Sequence, residues 1–512
     1  MVSILHEGFT LFRLLTSLLE TKMQIRKLWL AAALLVVYTF PVSAFSKNTT
    51  AADELKEKVK NFSVIFPEPA AEEINIAKAA PRSKARADWR SAVKLYHDSI
   101  FKPKPQRRVD VTGSSTVMLQ GFYWYADSYW YNPPKGWWGV LARYAREVGQ
   151  SGFDLIWFPP ASNGSYYPNE WYNLDSQWGT KDMLVQAVNA MHSAGVKVVA
   201  DIVLNHRNGT TNWLDFKNPD WPTTVIVKDD EVWSQPGYSD MPRSPNNDEG
   251  QGELGCRDLD HRDAQVRQDT KIFLRWLKNT IGFDGWRYDM VKGFKPYHVA
   301  DYNKASSPVF SVGEYLDGNR QFIANWIDGT DNSSDKTDAS SAFDFTTRFS
   351  LIAAIEGDRY ELLNDNGEPS GLIGWWPSKA VTFVESHDTS PRDPDFLKNA
   401  PKLYRDQRLM GYAYILTHPG IPCVFWPHLF DWGPSYKEQI QALVAVRKNA
   451  GITSTSGVQI ISATNGLYAA MVTGRTQRVA LKLGTNCDWQ PGTGWTLATS
   501  GEKYAVWTQN AK

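Results

Sequence analysis

The feature that most restricts what this chain can fold into is a rhythm. From residue 117 to residue 426, eight apolar strand-like runs alternate with amphipathic helical stretches. The runs cover residues 117–124, 153–159, 196–205, 285–289, 310–314, 342–345, 380–386 and 421–426, and the helical stretches include 137–150, 180–194, 264–279, 407–417 and 437–449. Strands joined by helical crossovers pair in parallel. Eight such units close into a (β/α)8 TIM barrel of the α/β class, with its working site at the C-terminal ends of the strands. One connection breaks the rhythm: about 55 residues rich in Asp, Asn, Pro and Gly follow the third strand. A loop of that length is a functional excursion or a small domain. We therefore expect a barrel over 113–450 carrying an irregular excursion domain at about 206–260. After residue 450 the segments 458–462, 466–472, 478–483 and 504–508 alternate with period two, which predicts a C-terminal antiparallel β domain over 451–512.

Ahead of the barrel, Arg26 and Lys27 precede an apolar run over 28–40 and then Pro41-Val42-Ser43-Ala44. This is the three-part build of a secretory signal over 1–44, cleaved after Ala44, and it predicts a secreted, extracellular or periplasmic protein. The run is too short to span a bilayer. Met23 stands where such a signal normally begins, so 1–22 reads as an upstream extension. Residues 45–112, rich in Ala, Lys, Glu and Pro, read as a spacer of unassigned role. Lys plus Arg and Asp plus Glu balance at 55 each, so no net field draws the chain to nucleic acid or to a membrane. A neutral partner and a monomeric state are expected. Cys256, Cys423 and Cys487 allow at most one bridge and no zinc site. The 22 Trp exceed what an ordinary core needs, and flat indoles suit sugar rings as well as interiors.

Charged residues at strand ends are the informative ones, because there they face the barrel mouth. The third run ends Asp201-Ile202-Val203-Leu204-Asn205-His206, the fourth Arg287-Tyr288-Asp289, the fifth Gly313-Glu314 and the seventh Glu385-Ser386-His387-Asp388. Glycoside cleavage with retention needs a carboxylate nucleophile and a carboxylic acid about 5–5.5 Å apart. Neighbouring strand ends can supply that spacing. Arg287, two residues before Asp289 and so on the same side of its strand, is placed to hold that carboxylate ionised. The expectation is Asp289 as nucleophile and Glu314 as general acid/base, with environments that push their pKa values apart.

The segments 201–206, 285–293, 312–315 and 383–388 resemble the signature regions of the α-amylase family, glycoside hydrolase family 13. Further stretches are similar to its plant type, among them Asp344-Phe345-Thr346-Thr347, Ile373-Gly374-Trp375-Trp376-Pro377 and 411–420. The resemblance implies endo-acting hydrolysis of α-1,4 bonds in starch, glycogen and maltooligosaccharides through a covalent glycosyl-enzyme. It implies Asp388 as the third carboxylate, His206 and His387 as hydrogen-bonding partners of the sugar at the cleavage point, Tyr166 as the ring stacked on it, and Lys292 as a contact to the reducing-side sugars. Ser386 stands where the family commonly has Asn. Calcium is the implied cofactor, bound by Asn205, Asp248, the carbonyl of Gln251, Asp258 and the carbonyl of Gly293. An oxygen-rich set of that kind suits a hard cation, and the pattern supports one ion. Trp375-Trp376 matches a tandem surface site for starch granules.

Two other readings use the same residues. A transglycosylase or maltooligosaccharide-forming enzyme would share the three carboxylates and differ in its loops, so product chromatography separates it. A non-catalytic starch-binding protein is the other, and the intact set Asp289, Glu314 and Asp388 argues against it.

Overall fold

The computed structural model describes residues 115–127, 136–331, 333, 336, 338–485 and 488–510. The proposed signal, the upstream extension and the spacer lie outside these residues, as does Cys487.

Eight parallel strands form a closed barrel: β1 (Met118–Gln120), β2 (Leu155–Phe158), β3 (Lys197–Ile202), β4 (Gly285–Tyr288), β5 (Phe310–Gly313), β6 (Ser341–Phe343), β7 (Ala380–Phe383) and β8 (Ile421–Phe425). Each pairs with its neighbours in sequence, and β8 closes onto β1. All eight runs read from the sequence become strands. The paired strands are shorter than the runs, whose last residues continue past the sheet toward the barrel mouth. Ile202 is the last paired residue of β3, and Val203 to His206 swing out over the mouth. Between strands lie α1 (Gly136–Gln150), α2 (Lys181–Ser193), α3 (Ala264–Trp276), α4 (Pro296–Ser306), α5 (Arg320–Gly329), α6 (Phe345–Gly357), α7 (Lys402–Thr417) and α8 (Pro434–Ala450).

Local chemistry sets the helix ends. Thr180, Asp263, Asn319 and Asp344 each accept a hydrogen bond from a first-turn N–H and so satisfy an orphan donor of α2, α3, α5 and α6. Proline at the start of α4 and α8 fits where no amide donor is needed. The stretch read as one helix over 264–279 is in fact α3 followed by a π-helical turn, Leu277–Ile281.

Tryptophans dominate the interior. Trp137, Trp138, Trp157, Trp171, Trp178, Trp286 and Trp426 are fully buried, so much of the indole surplus is barrel core. Cys256 and Cys423 are buried free thiols, and burial pushes both pKa values up.

The excursion between β3 and α3 has little regular structure. A two-residue antiparallel pair, His206–Arg207 with Arg257–Asp258, clips its two ends together. Buried Arg207 donates to the carbonyls of Asn169 and Pro219 and packs against Trp171, Phe216 and Trp221. The C-terminal sheet is antiparallel and five-stranded: β9 (Val458–Thr464), β10 (Leu467–Thr473), β11 (Gln477–Leu483), β12 (Thr496–Gly501) and β13 (Tyr504–Asn510), in the order β9-β10-β11-β13-β12. Arg447 of α8 donates to the carbonyls of His418 and Gly420, and His418 bonds the Tyr468 hydroxyl, joining this sheet to the barrel. Among the described residues no helix is long and apolar enough to cross a membrane.

Candidate active site

Arg287 is the hub of the barrel mouth. Parallel register sets Arg287 beside Asp201 on β3 and beside Val312 on β5, two residues before Glu314. Its Nη1 donates to Asp201 Oδ1 at 2.8 Å and to Asp289 Oδ1 at 2.5 Å, and its Nη2 lies 2.8 Å from Glu314 Oε2. The guanidinium is 1 % exposed. Asp289 and Glu314 therefore meet the two terminal nitrogens of one small planar group, from adjacent strand ends. Both carboxyl groups are thus gathered on one buried cation at the barrel mouth.

Their environments differ in the expected direction. Burial pushes the Asp289 carboxyl up to about 6 against the pull of Arg287, with the Asp201 charge adding to the rise. Glu314 goes further, to about 8, through burial and the nearby charges of Asp289 and Asp388, again opposed by Arg287. Both carboxyls are thus held above the usual range, Glu314 further than Asp289. Glu314 Oε2 accepts from Met290 N at 3.2 Å and lies 2.8 Å from Arg287 Nη2.

Asp388 enters from the end of β7. It accepts from Trp124 Nε1 at 3.2 Å, with Arg392 Nη2 at 3.5 Å, and at 30 % side-chain exposure it is the most open of the three carboxylates. Burial raises its pKa, but His387, Arg287 and Arg392 outweigh this and hold it below the usual carboxylate value. His387 Nδ1 accepts from Gln120 Nε2 at 2.9 Å, so the proton sits on Nε2. That nitrogen is buried without a hydrogen-bond partner, 3.2 Å from Asp388 Oδ2 but poorly aligned with it. Burial lowers the ring's pKa to about 4, so it is neutral. The Tyr166 ring stacks on His387 at 5.3 Å and 11°, and its hydroxyl donates to Asp201 Oδ2 at 2.8 Å.

The remaining sequence candidates make the following contacts. His206 Nε2 bonds the Tyr166 carbonyl at 2.9 Å and its Nδ1 lies 3.4 Å from Asn205 Nδ2. Both ring nitrogens are engaged within the protein, so here His206 ties loop to loop. Lys292 Nζ bonds Asp317 and the Leu316 carbonyl. Trp376 is 4 % exposed and part of the core, while the Trp375 ring is covered by the Arg320 guanidinium at 3.7 Å. The two indoles do not form one open surface, because Trp376 turns inward under the Pro377–Lys379 turn. Ser386 bonds Thr389. Glu385, also at the end of β7, points away from the mouth to Tyr404 and Arg408.

Three site residues carried no assigned role in the sequence reading. Asp201 accepts from Arg287, Trp157 and Tyr166 and is pushed up to about 6 by burial. Gln120 fixes His387 and Trp124 fixes Asp388. Gln120 left a signal: a polar residue ending the apolar run Val117-Met118-Leu119.

Four of the side-chain and carbonyl oxygens expected to bind a cation lie in two pairs, Asn205 with Gln251 beside Gly293 and Asp258 with Asp248 beside Gly252. A Cβ on Gly293 would overlap Asn205 Oδ1 and come within 2.8 Å of the Gln251 carbonyl; one on Gly252 would overlap Asp258 Oδ2 and meet Asp248 Oδ2 at 3.4 Å. Asn205 Nδ2 and Asp258 Oδ1 are 3.5 Å apart. Burial, with Asp230, Asp248 and Glu231 nearby, raises the Asp258 pKa to about 8. Asp230, Glu231 and Asp258 form an acidic cluster with the spacing to hold a metal ion, although Arg257 already pairs with the first two.

Comparison with known proteins agrees with this architecture. Residues 144–426 match the family model for the α-amylase catalytic domain, and 449–508 match the α-amylase C-terminal β-sheet domain. A probable α-amylase 2 of Arabidopsis thaliana is 36 % identical over 418 residues, 76 % of this chain and 93 % of that protein. The chloroplastic α-amylase 3 of the same plant is 35 % identical over 77 % of this chain, which spans 44 % of that longer protein. The crystal structure of an Anoxybacillus α-amylase superposes with a TM-score of 0.58 at 16 % identity, covering 78 % of this chain and 97 % of that one, a likeness of fold. Barrel, C-terminal sheet and sequence match converge on one conclusion: the chain belongs to the α-amylase family, glycoside hydrolase family 13.

Proposed function

We propose that the chain hydrolyses internal α-1,4-glucosidic bonds of starch, glycogen and related maltooligosaccharides with retention of anomeric configuration. The observation that carries this reading is the shared guanidinium, which holds Asp289 and Glu314 together at adjacent strand ends with pKa values on either side of neutrality. Glu314 protonates the glycosidic oxygen as Asp289 attacks the anomeric carbon, and the bond to the leaving sugar breaks as the ester to Asp289 forms. Glu314, now a carboxylate, takes a proton from water, which attacks the anomeric carbon from the face the leaving sugar vacated and breaks the ester to Asp289, so that two inversions give net retention. Asp388 and the Nε2–H of His387 are placed to bind ring hydroxyls, and Tyr166 to stack on the ring.

Calcium is the ion that fits the oxygen cradle of Asn205, Asp248, Gln251, Asp258 and Gly293. Bound there, it would supply charge neutralisation for Asp248 and Asp258. Asp289 and Gly293 are ends of one short segment, so the cradle and the nucleophile share a backbone. Export of the protein follows from the leader over 1–44, and a mature N-terminus near Phe45 is the result expected from N-terminal sequencing. The function is tested on soluble starch with Asp289→Asn and Glu314→Gln beside the parent, and by NMR of the first anomer released. An α-anomer and two variants far slower than the parent are expected. A parent no faster than the variants, or a β-anomer, overturns the reading.

A further inference from the structure

The tryptophans packed in the barrel leave one conspicuous contrast: Trp213, in the excursion, is 46 % exposed. An open indole costs the fold little, but this one is held still. The Asp215 carboxylate accepts from the amides of Thr210 and Asn212 and from the hydroxyls of Thr210 and Thr211, which pins the loop on both sides of the ring. Behind the indole lies the Arg257 guanidinium, 4.8 Å from the ring centroid, itself buried and fixed by Asp230 at 2.9 Å and Glu231 at 2.8 Å. The Tyr238 ring runs parallel to it at 11°, centroids 6.5 Å apart. Trp213 shares an open hollow of about 230 Å³ with Asn208, Thr210, Thr211, Asn212 and Gly255. A flat apolar surface rimmed by amides and hydroxyls has the chemistry of a pyranose ring, which offers axial C–H groups on one face and hydroxyls at its edge.

The hollow is tied to the loop that carries Tyr166. Asn208 N donates to the Pro168 carbonyl at 2.9 Å, next to the Tyr166 that stacks on His387. On the same loop, Tyr167 is 50 % exposed and its ring lies 6.3 Å from that of His206.

We infer that Trp213, backed by Arg257 and flanked by Tyr238, is a glucan-binding platform that holds sugars of a long chain away from the cleavage point. This rests on the α-glucan reading above for its ligand. The test uses the full chain in native gels cast with glycogen, with β-cyclodextrin quenching of tryptophan fluorescence as a second readout and a chromogenic maltotrioside as the short substrate. Trp213→Ala is expected to bind glycogen at least about fivefold more weakly, with Trp213→Phe in between because it keeps a flat ring. Activity on the maltotrioside is expected to stay within about twofold of the parent. Equal retardation of parent and Trp213→Ala overturns the platform, as does a parent that glycogen does not retard. If Trp213→Ala fails to fold, Trp213→Phe and Tyr238→Ala decide on the same scale. A parent that is retarded but does not cleave the maltotrioside leaves the platform standing and overturns the hydrolytic reading instead.

Discussion

Replacing Arg287 by Met removes the one cation that three buried carboxylates share. If all three stayed charged, the cost would be about 3–5 kcal/mol, the usual penalty for orphaning a buried ion pair. They can instead take up protons, so the loss depends on pH. In the parent, Asp289 and Asp201 are raised to about 6, above the roughly 3.9 of an exposed aspartate. The folded state then holds more protons than the unfolded one between about pH 4 and 6, and stability falls across that window as pH rises. Losing about 3 kcal/mol of pairing at Asp289, at about 1.4 kcal/mol per pH unit, carries its midpoint from about 6 to about 8. The gap in Tm between parent and Arg287→Met is therefore expected to widen from pH 5 to pH 8. At pH 7 the nucleophile of the variant is mostly protonated and its positioning is lost, so kcat on a chromogenic starch falls at least about 100-fold, and what activity remains has its acid limb displaced upward. Thermal melts at the two pH values and a rate profile from pH 4 to 9 measure both. Parallel melts, or a rate at pH 7 within tenfold of the parent, would refute the assignment of Arg287 as the shared counter-ion.

For the parent enzyme, the pH–rate profile is expected to be a bell with limbs near pH 6 and 8, reporting the coupled Asp289–Glu314 pair, and the alkaline limb should disappear from the residual activity of Glu314→Gln. A chelator should lower Tm and speed proteolysis within 206–260, both restored by calcium and not by magnesium, while Gly293→Ala, whose Cβ would strike Asn205 Oδ1, should reproduce the chelated state in excess calcium. Trp376→Ala should cost about 3–5 kcal/mol as a core truncation, and Trp375→Ala much less; melts of the two variants check this. His387→Ala should reduce kcat more than it raises KM, since its Nε2 makes no hydrogen bond among the described residues and lies beside Asp388, where the reacting sugar would meet it.

The barrel was legible because its strands are buried on both sides and so read as continuous apolar runs. The carboxylates were legible because strand ends are where an apolar run meets its first charge. The helices α4, α5 and α6 were not singled out, and α6 shows why. Its buried positions include Phe345, Thr346, Thr347, Leu351, Ala354 and Ile355, spread around the helix with polar threonines among them, so no clean stripe marks it. The edge strand β12 escaped for the opposite reason: with most of its residues exposed, nothing makes its sequence alternate. Asp201 was visible as a strand-end acid, but its tie to Arg287 exists only through the register between β3 and β4. The partners of His206, the Tyr166 carbonyl on another loop and the side-chain amide of neighbouring Asn205, could not be read from its position in the chain. Trp375 and Trp376 are adjacent in sequence, yet one side chain faces the core and the other an arginine.

The short stretch from Asp289 to Gly293 works as a lever with a load at each end. Met290, at its start, holds a left-handed backbone with φ of 44° and donates its amide to Glu314, while Lys292 at the far end offers its carbonyl to Gln251 of the excursion. A slip of the excursion therefore pulls on the acid and the nucleophile together. In dilute or chelating surroundings, such an enzyme would fall silent through misalignment well before its barrel melts.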